Sequence, residues 1–215
     1  MSASRGRFLT LEGLEGVGKT TQLGAIVGAL VARGIEPVVT REPGGTPLGE
    51  RLRALVLHEG LEMRARTELL LVAAARLEHV ETVIGPALGA GRWVVSDRYL
   101  DSSVAYQGGG RGLGAAEVVR LHASIGVTLE PDLTVLLDAP VAAGRSRLGE
   151  RASLDRIERE SVAFFERARA AFLERAAAEP ARVAVIDAGA PLEAVRAATV
   201  RRVEAFVDAV RGGEA

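Results

Sequence analysis

The chain has no cysteine among its 215 residues, which excludes disulfides and thiol chemistry and suits a reducing compartment such as the cytosol. Its three histidines, His58, His79 and His122, stand apart without an HxxxH pair, so nothing suggests a zinc site. Neither sign of charge dominates. The net charge is −1, leaving no basic field to draw nucleic acid or an anionic membrane. Long apolar runs are also missing; the longest, Leu69 to Ala75, is far short of a membrane span. Met1 to Arg7 is too short and polar a segment to read as a signal peptide. These absences point to a cytoplasmic protein without membrane or nucleic-acid partners. A composition 48% hydrophobic and 26% charged suits one domain, residues 1–215, with a proper core.

Lysine is the scarcest basic residue. Of 27 basic side chains only one is lysine, Lys19, and the rest are arginine. It sits in Gly13-Leu14-Glu15-Gly16-Val17-Gly18-Lys19-Thr20-Thr21, which carries the P-loop spacing G-x-x-x-x-G-K-[ST]. Arginine ends in a broad planar fork, whereas lysine is a compact charge on a slim stem. A loop wrapped closely around phosphates has room only for the second. Such a loop turns successive backbone N–H groups and a helix N-terminus toward the phosphates. Lys19 then reaches the β and γ groups, and Thr20 offers its hydroxyl to Mg²⁺. The chain is expected to bind a nucleoside triphosphate.

Hydrophobic patterning predicts short apolar strands at Phe8–Leu11, Pro37–Thr40, Trp93–Ser96, Leu133–Leu137 and Val183–Ile186. Between them it predicts helices from Lys19 to Gly34, Leu48 to Leu57, Thr67 to Leu88 (bent near Pro86) and Ala115 to Ile125. Further helices are predicted at Val141–Gly149, Leu154–Ala178 and Leu192–Val210, with a glycine-loaded loop at Gly108, Gly109, Gly110 and Gly112. Uniformly apolar strands alternating with helices give an α/β class: a five-stranded parallel sheet flanked by helices on both faces. Ligands in that architecture sit at the carboxyl ends of the strands. Asp97 follows its strand directly, where a carboxylate can hold Mg²⁺. Asp138 is similarly placed, as ligand or helix cap. Arg41 and Arg98 lie at the same edge, Arg76 interrupts an apolar helix, and Arg145, Arg147, Arg151 and Arg156 cluster beyond Asp138. Guanidinium forks match phosphates.

Glu12-Gly13-Leu14-Glu15-Gly16-Val17-Gly18-Lys19-Thr20-Thr21, Thr40-Arg41-Glu42-Pro43-Gly44-Gly45-Thr46, Ser96-Asp97-Arg98-Tyr99, Ala105-Tyr106-Gln107-Gly108, Pro131-Asp132-Leu133 and Leu154-Asp155-Arg156-Ile157-Glu158 occur in that order. In these segments, from Phe8 to about Val207, the chain resembles the thymidylate kinase family, whose members phosphorylate dTMP with ATP. The resemblance implies a P-loop NTPase fold of the nucleoside monophosphate kinase type with a short helical lid at about 144–157. It implies ATP and Mg²⁺ at Gly13 to Thr21, metal contacts from Thr20 and Asp97, and Arg145 near the adenine beside Ala188 to Pro191. It assigns Lys19, Glu15 and Arg98 to catalysis. It places dTMP against Arg41, Val72, Arg76, Asp97, Arg98, Ser102, Tyr106 and Gln107, with the arginines on the phosphate, Gln107 on the thymine edge and Tyr106 beside the deoxyribose. Relatives usually carry a stacking aromatic where this chain has Val72. Members divide by whether the catalytic arginine lies in the P-loop or in the lid. Gly16 here implies the lid type, with Arg151 the first choice and Arg147 the second. Relatives are homodimers, and the helix Thr67–Leu88 is a candidate interface.

Two other readings compete. A deoxynucleoside kinase, or another nucleoside monophosphate kinase, would share the P-loop, and in the former Glu42 would deprotonate a 5′-hydroxyl. A nucleotide-binding regulatory module would lack transfer activity, but would have no use for a cluster of lid arginines.

Overall fold

The computed structural model of the chain describes residues 5–58, 60–149 and 154–213. Five strands form one all-parallel sheet: β1 (Phe8–Gly13), β2 (Val38–Arg41), β3 (Val94–Asp97), β4 (Leu133–Asp138) and β5 (Val183–Asp187), in the order β2-β3-β1-β4-β5. Phe8 pairs with Val94 and Leu9 with both Val95 and Leu133, so β1 lies in the centre. Adjacent strand residues face opposite ways. Leu9, Leu11 and Val95 therefore enter a core with α1 (Lys19–Val31), α8 (Val162–Ala178) and α9 (Leu192–Gly213), whereas Phe8 and Val94 enter a second. That second core is closed by α3 (Ala65–His79), α4 (Gly85–Gly89) and α6 (Ala115–Ser124). Central β1 is buried throughout, but the edge strands β2 and β5 alternate in exposure. The remaining helices are α2 (Pro47–Leu57), α5 (Leu100–Ser103) and α7 (Val141–Leu148).

Three predicted elements differ. The long helix does not simply bend at Pro86; it widens into a π-helical turn over Val80–Ile84, just before that residue. A proline ring clashes with the carbonyl four residues back, and a wider turn relieves the crowding. Most of the glycine-loaded stretch is not a loop: Val104–Gly110 is π-helical, and of those glycines only Gly112 lies in the bend that follows. A Cβ on Gly109 would stand 2.8 Å from the Arg167 carbonyl oxygen, and one on Gly110 2.5 Å from the Phe164 ring. Glycine lets this turn seat directly on α8. That helix in turn begins at Val162 rather than Leu154. Ser161 caps it by accepting from Phe164 N, whereas the Asp155 carboxylate accepts from the amides of Ile157 and Glu158 and holds 155–158 in a separate turn.

Candidate active site

All strands point their carboxyl ends the same way, so Gly13, Arg41, Asp97 and Asp138 end along one edge. Between β1 and α1 the P-loop turns with Gly16 and Gly18 at φ 74 and 94. A Cβ on Gly16 would lie 2.2 Å from the Gly144 carbonyl oxygen, and one on Gly144 2.6 Å from that of Glu15. The loop and α7 thus touch backbone to backbone. Lys19 Nζ donates to the carbonyls of Gly13 (3.1 Å) and Leu14 (2.6 Å). Burial, reinforced by Arg98, pulls its pKa down to about 8, against the raising influence of Glu15, Asp97 and Glu12. An ammonium so poorly solvated favours an incoming anion.

A cavity of about 280 Å³ opens from this lysine, lined by Gly18, Lys19, Thr20 and Asp97 at one end and by Arg53, Val72, Tyr106 and Gln107 at the other. Asp97 Oδ1 is buried without a hydrogen-bond partner among the described residues. No group of three or more His, Cys, Asp or Glu able to hold a metal occurs among those residues. One hydroxyl and one orphaned carboxylate oxygen fit Mg²⁺, which completes its shell with water and phosphate oxygens.

The other end is held by buried carboxylates. Arg98 has φ 72, a strained conformation for a side-chain-bearing residue, and Arg98 N bonds the Leu11 carbonyl. Its guanidinium donates to Glu15 Oε1 (2.8 Å), Gly13 O (2.9 Å) and Ser102 Oγ (3.0 Å), and lies 5.1 Å from the Tyr106 ring centroid. Tyr106 also donates to Glu15, at 2.6 Å. Glu12 is wholly buried and accepts from Tyr99 N and from the amide and hydroxyl of Ser102. Burial, then the charge of Asp101, raises its pKa to about 7. Arg76 is 1% exposed. It donates to Glu42 Oε2 (2.6 Å), Ser103 Oγ (2.9 Å), His122 Nε2 (2.6 Å) and the Tyr99 carbonyl (2.9 Å). Four of its five N–H groups are committed, leaving one for the cavity that it lines. His122 Nδ1 donates to the Val118 carbonyl, and burial followed by Arg76 lowers the imidazole pKa to about 4. Its Nε2 is therefore a bare acceptor for Arg76.

The thymidylate kinase family profile matches residues 11–199. The chain belongs to the thymidylate kinase family. It is 52% identical to the thymidylate kinase of Methylobacillus flagellatus over 192 residues, covering 89% of this chain and 94% of that protein. It is likewise 52% identical to that of Bordetella pertussis over 193 residues (90% and 92%), and 49% to that of Methylococcus capsulatus over 202 (94% and 97%).

Within this thymidylate kinase framework, Glu15, Gly16, Gly18, Lys19, Thr20, Val72, Arg76, Asp97, Arg98, Ser102, Tyr106 and Gln107 all line one cavity. Gly13, Leu14, Val17 and Thr21 supply the surrounding turn and first helical residues, not the lining. Arg41 does not line it. It is exposed and paired with Glu50 at 2.8 Å. Arg53, unremarked in the sequence, lines it instead and donates to the Pro43 carbonyl at 3.0 Å. Burial, then the nearby Arg41, lowers its pKa, with Arg98 adding to the effect and Glu50 and Asp155 opposing it. Helical phase was the available signal: Arg53, Val56 and Leu57 share one face of α2, and all three line the cavity. Asp138 forms a two-pronged pair with Arg169, both contacts 2.8 Å, and does not cap the helix that follows, whose N-cap is Pro140. Glu42 is committed to Arg76 and His79, which leaves it poorly placed to deprotonate a hydroxyl. Among the lid arginines, Arg145 donates to Glu160 O and stacks on Phe165, and Arg156 binds Val56 O and Glu68. Arg147 reaches the P-loop, donating to Gly16 O at 3.2 Å. Arg151 lies outside the described residues.

Proposed function

We propose that this chain transfers the γ-phosphoryl group of ATP to dTMP, giving dTDP and ADP, in the synthesis of dTTP. One observation carries the reading: a single cavity runs from the P-loop lysine to Arg53, Arg98 and Gln107 in a chain of this family. Lys19 and the loop amides hold the β- and γ-phosphates, while Thr20 and Asp97 are the residues to hold Mg²⁺. The metal, when bound, neutralises phosphate charge. Arg53 and Arg98, with the remaining N–H of Arg76, meet the acceptor phosphate. Gln107 faces the base and Val72 lies against the ring. Tyr106, fixed by Glu15, crowds the position of a 2′-hydroxyl.

The acceptor phosphate oxygen is already anionic near neutral pH, so no strong base is needed. The obstacle is the repulsion between two polyanions at contact distance, which the fixed cations offset. A lid arginine arriving on closure adds charge where the transferred group passes, with Arg151 first and Arg147 second. Closure also keeps water from intercepting the phosphoryl group. Among the described residues no helix is long and apolar enough to cross a membrane, and we place the enzyme in the cytoplasm. It acts as a homodimer through α3, where Leu70 is 56% exposed. A coupled assay over dTMP, dUMP, dCMP, dGMP, AMP and thymidine tests the activity. Turnover with dTMP is expected, and turnover with thymidine but not dTMP overturns the proposal.

A further inference from the structure

Glu68, Val72 and Arg76 are spaced four apart and share one face of α3. The last two line the cavity, whereas the first is wholly buried beyond it. Glu68 Oε1 accepts from Gln107 Nε2 at 2.8 Å and from Arg111 Nε at 3.2 Å; Oε2 accepts from Arg156 Nη2 at 2.6 Å. Burial pushes this carboxyl up, but the bonds from Arg111, Gln107 and Arg156 prevail and hold it below the usual carboxylate range. It therefore stays ionised and can only accept. An amide bonded to such a group has one permitted orientation, with its NH₂ half against Glu68. The carbonyl half is left to the cavity, and among the described residues Gln107 Oε1 has no hydrogen-bond donor.

We propose that Glu68 is a positioning residue for substrate choice: by locking the Gln107 amide, it presents a fixed carbonyl acceptor that selects pyrimidines carrying an N3–H. Thymine and uracil offer that donor. Cytosine has a bare N3 in its place, so lone pair would face lone pair. A free glutamine could flip and give cytosine an N–H; this one cannot without turning its oxygen toward a carboxylate. A site built around one hydrogen bond rejects the analogue lacking it far better than shape alone does.

The inference rests on dTMP occupying the cavity as proposed. The test compares kcat/KM for dTMP, dUMP and dCMP in wild type, Glu68→Gln and Glu68→Asp. Glutamine at 68 can donate as well as accept, so the amide at 107 is freed, and the dCMP-to-dTMP ratio should rise about tenfold or more. Aspartate, still acceptor-only, should restore rejection of dCMP, and the dUMP-to-dTMP ratio should stay constant throughout. A merely structural role would lower all three rates together and leave the ratios unchanged. Gln107→Leu separates the two readings: an unchanged KM for dTMP sinks the placement of the base. A raised KM together with wild-type rejection of dCMP in Glu68→Gln sinks the role of Glu68 alone. Should Glu68→Gln fail to fold, the wild-type enzyme still decides. The Gln107 side-chain amide protons should exchange slowly in NMR spectra and keep their shifts when dTMP binds. Rapid exchange in the free enzyme would overturn the lock.

Discussion

On the donor side of the cavity the P-loop lysine and two nearby arginines rest on backbone carbonyls: Lys19 on Gly13 and Leu14, Arg147 on Gly16, Arg145 on Glu160. On the acceptor side most of the polar side chains rest on buried or half-buried carboxylates: Arg76 on Glu42, Ser102 on Glu12, Gln107 on Glu68, Arg98 on Glu15, with Arg53, on the Pro43 carbonyl, the exception. A carbonyl is a partial charge that a phosphate easily displaces, whereas a hydrogen bond or ion pair to an interior carboxylate holds its geometry whether or not substrate is present. The donor side is thus built to hand its cations to ATP, and the acceptor side to present a finished template. Generic triphosphate binding and selective monophosphate binding call for those two different solutions.

The contrast can be broken in graded ways. The largest effect is expected from Arg151→Ala, which should lower kcat by ~10³-fold, as loss of an arginine finger does. The dissociation constant for dTMP, read by calorimetry, should hardly change; wild-type turnover would pass the role to Arg147. Next, Arg76→Met strands Glu42 in the core and should cost about 3–5 kcal/mol of unfolding free energy. The same change at exposed Arg147 should cost less than about 0.5 kcal/mol. Chemical denaturation of the two variants side by side measures the asymmetry, and equal losses would erase it. Val72→Phe supplies the stacking ring this chain lacks, worth about 1–3 kcal/mol. The KM for dTMP should fall about fivefold or more, and that for ATP should stay put.

The smallest effect concerns protons. Lys19 titrates near 8 in the free enzyme and at 10.5 when unfolded, so the folded state binds fewer protons between those values. Its contribution to stability therefore rises with pH across that window and is unfavourable below it. ATP phosphates restore the charged form. Nucleotide binding should take up almost no proton near pH 6.5 and roughly half a proton or more near pH 8.5. Calorimetry in two buffers of different ionisation heat reads the difference, and uptake independent of pH would refute it.

The parts most legible in sequence were those with local rules. The P-loop spacing places Lys19 and Thr20, and alternating apolar runs give the five strands in order. The acceptor side was harder, because its partners are far apart in the chain. Glu42 meets Arg76 and His122 meets the same arginine only after α3 and α6 pack against the sheet. Arg41 drew attention by following a strand, yet it turns to Glu50 and leaves Arg53, one helical face away, to line the cavity. The glycines at 108–110 looked like a loop because their packing partner, α8, begins some fifty residues later.

The seam where Gly16 meets Gly144 bears on how such enzymes diverge. With 2.2 Å between a would-be Cβ and an oxygen across the seam, any side chain at 16 would have to push α7 aside. With the transferring charge on a lid arginine, as proposed, moving it into the loop is then no single substitution. The two designs become alternative ways of filling the same space, and a lineage committed to one would have to rebuild a helix docking to reach the other.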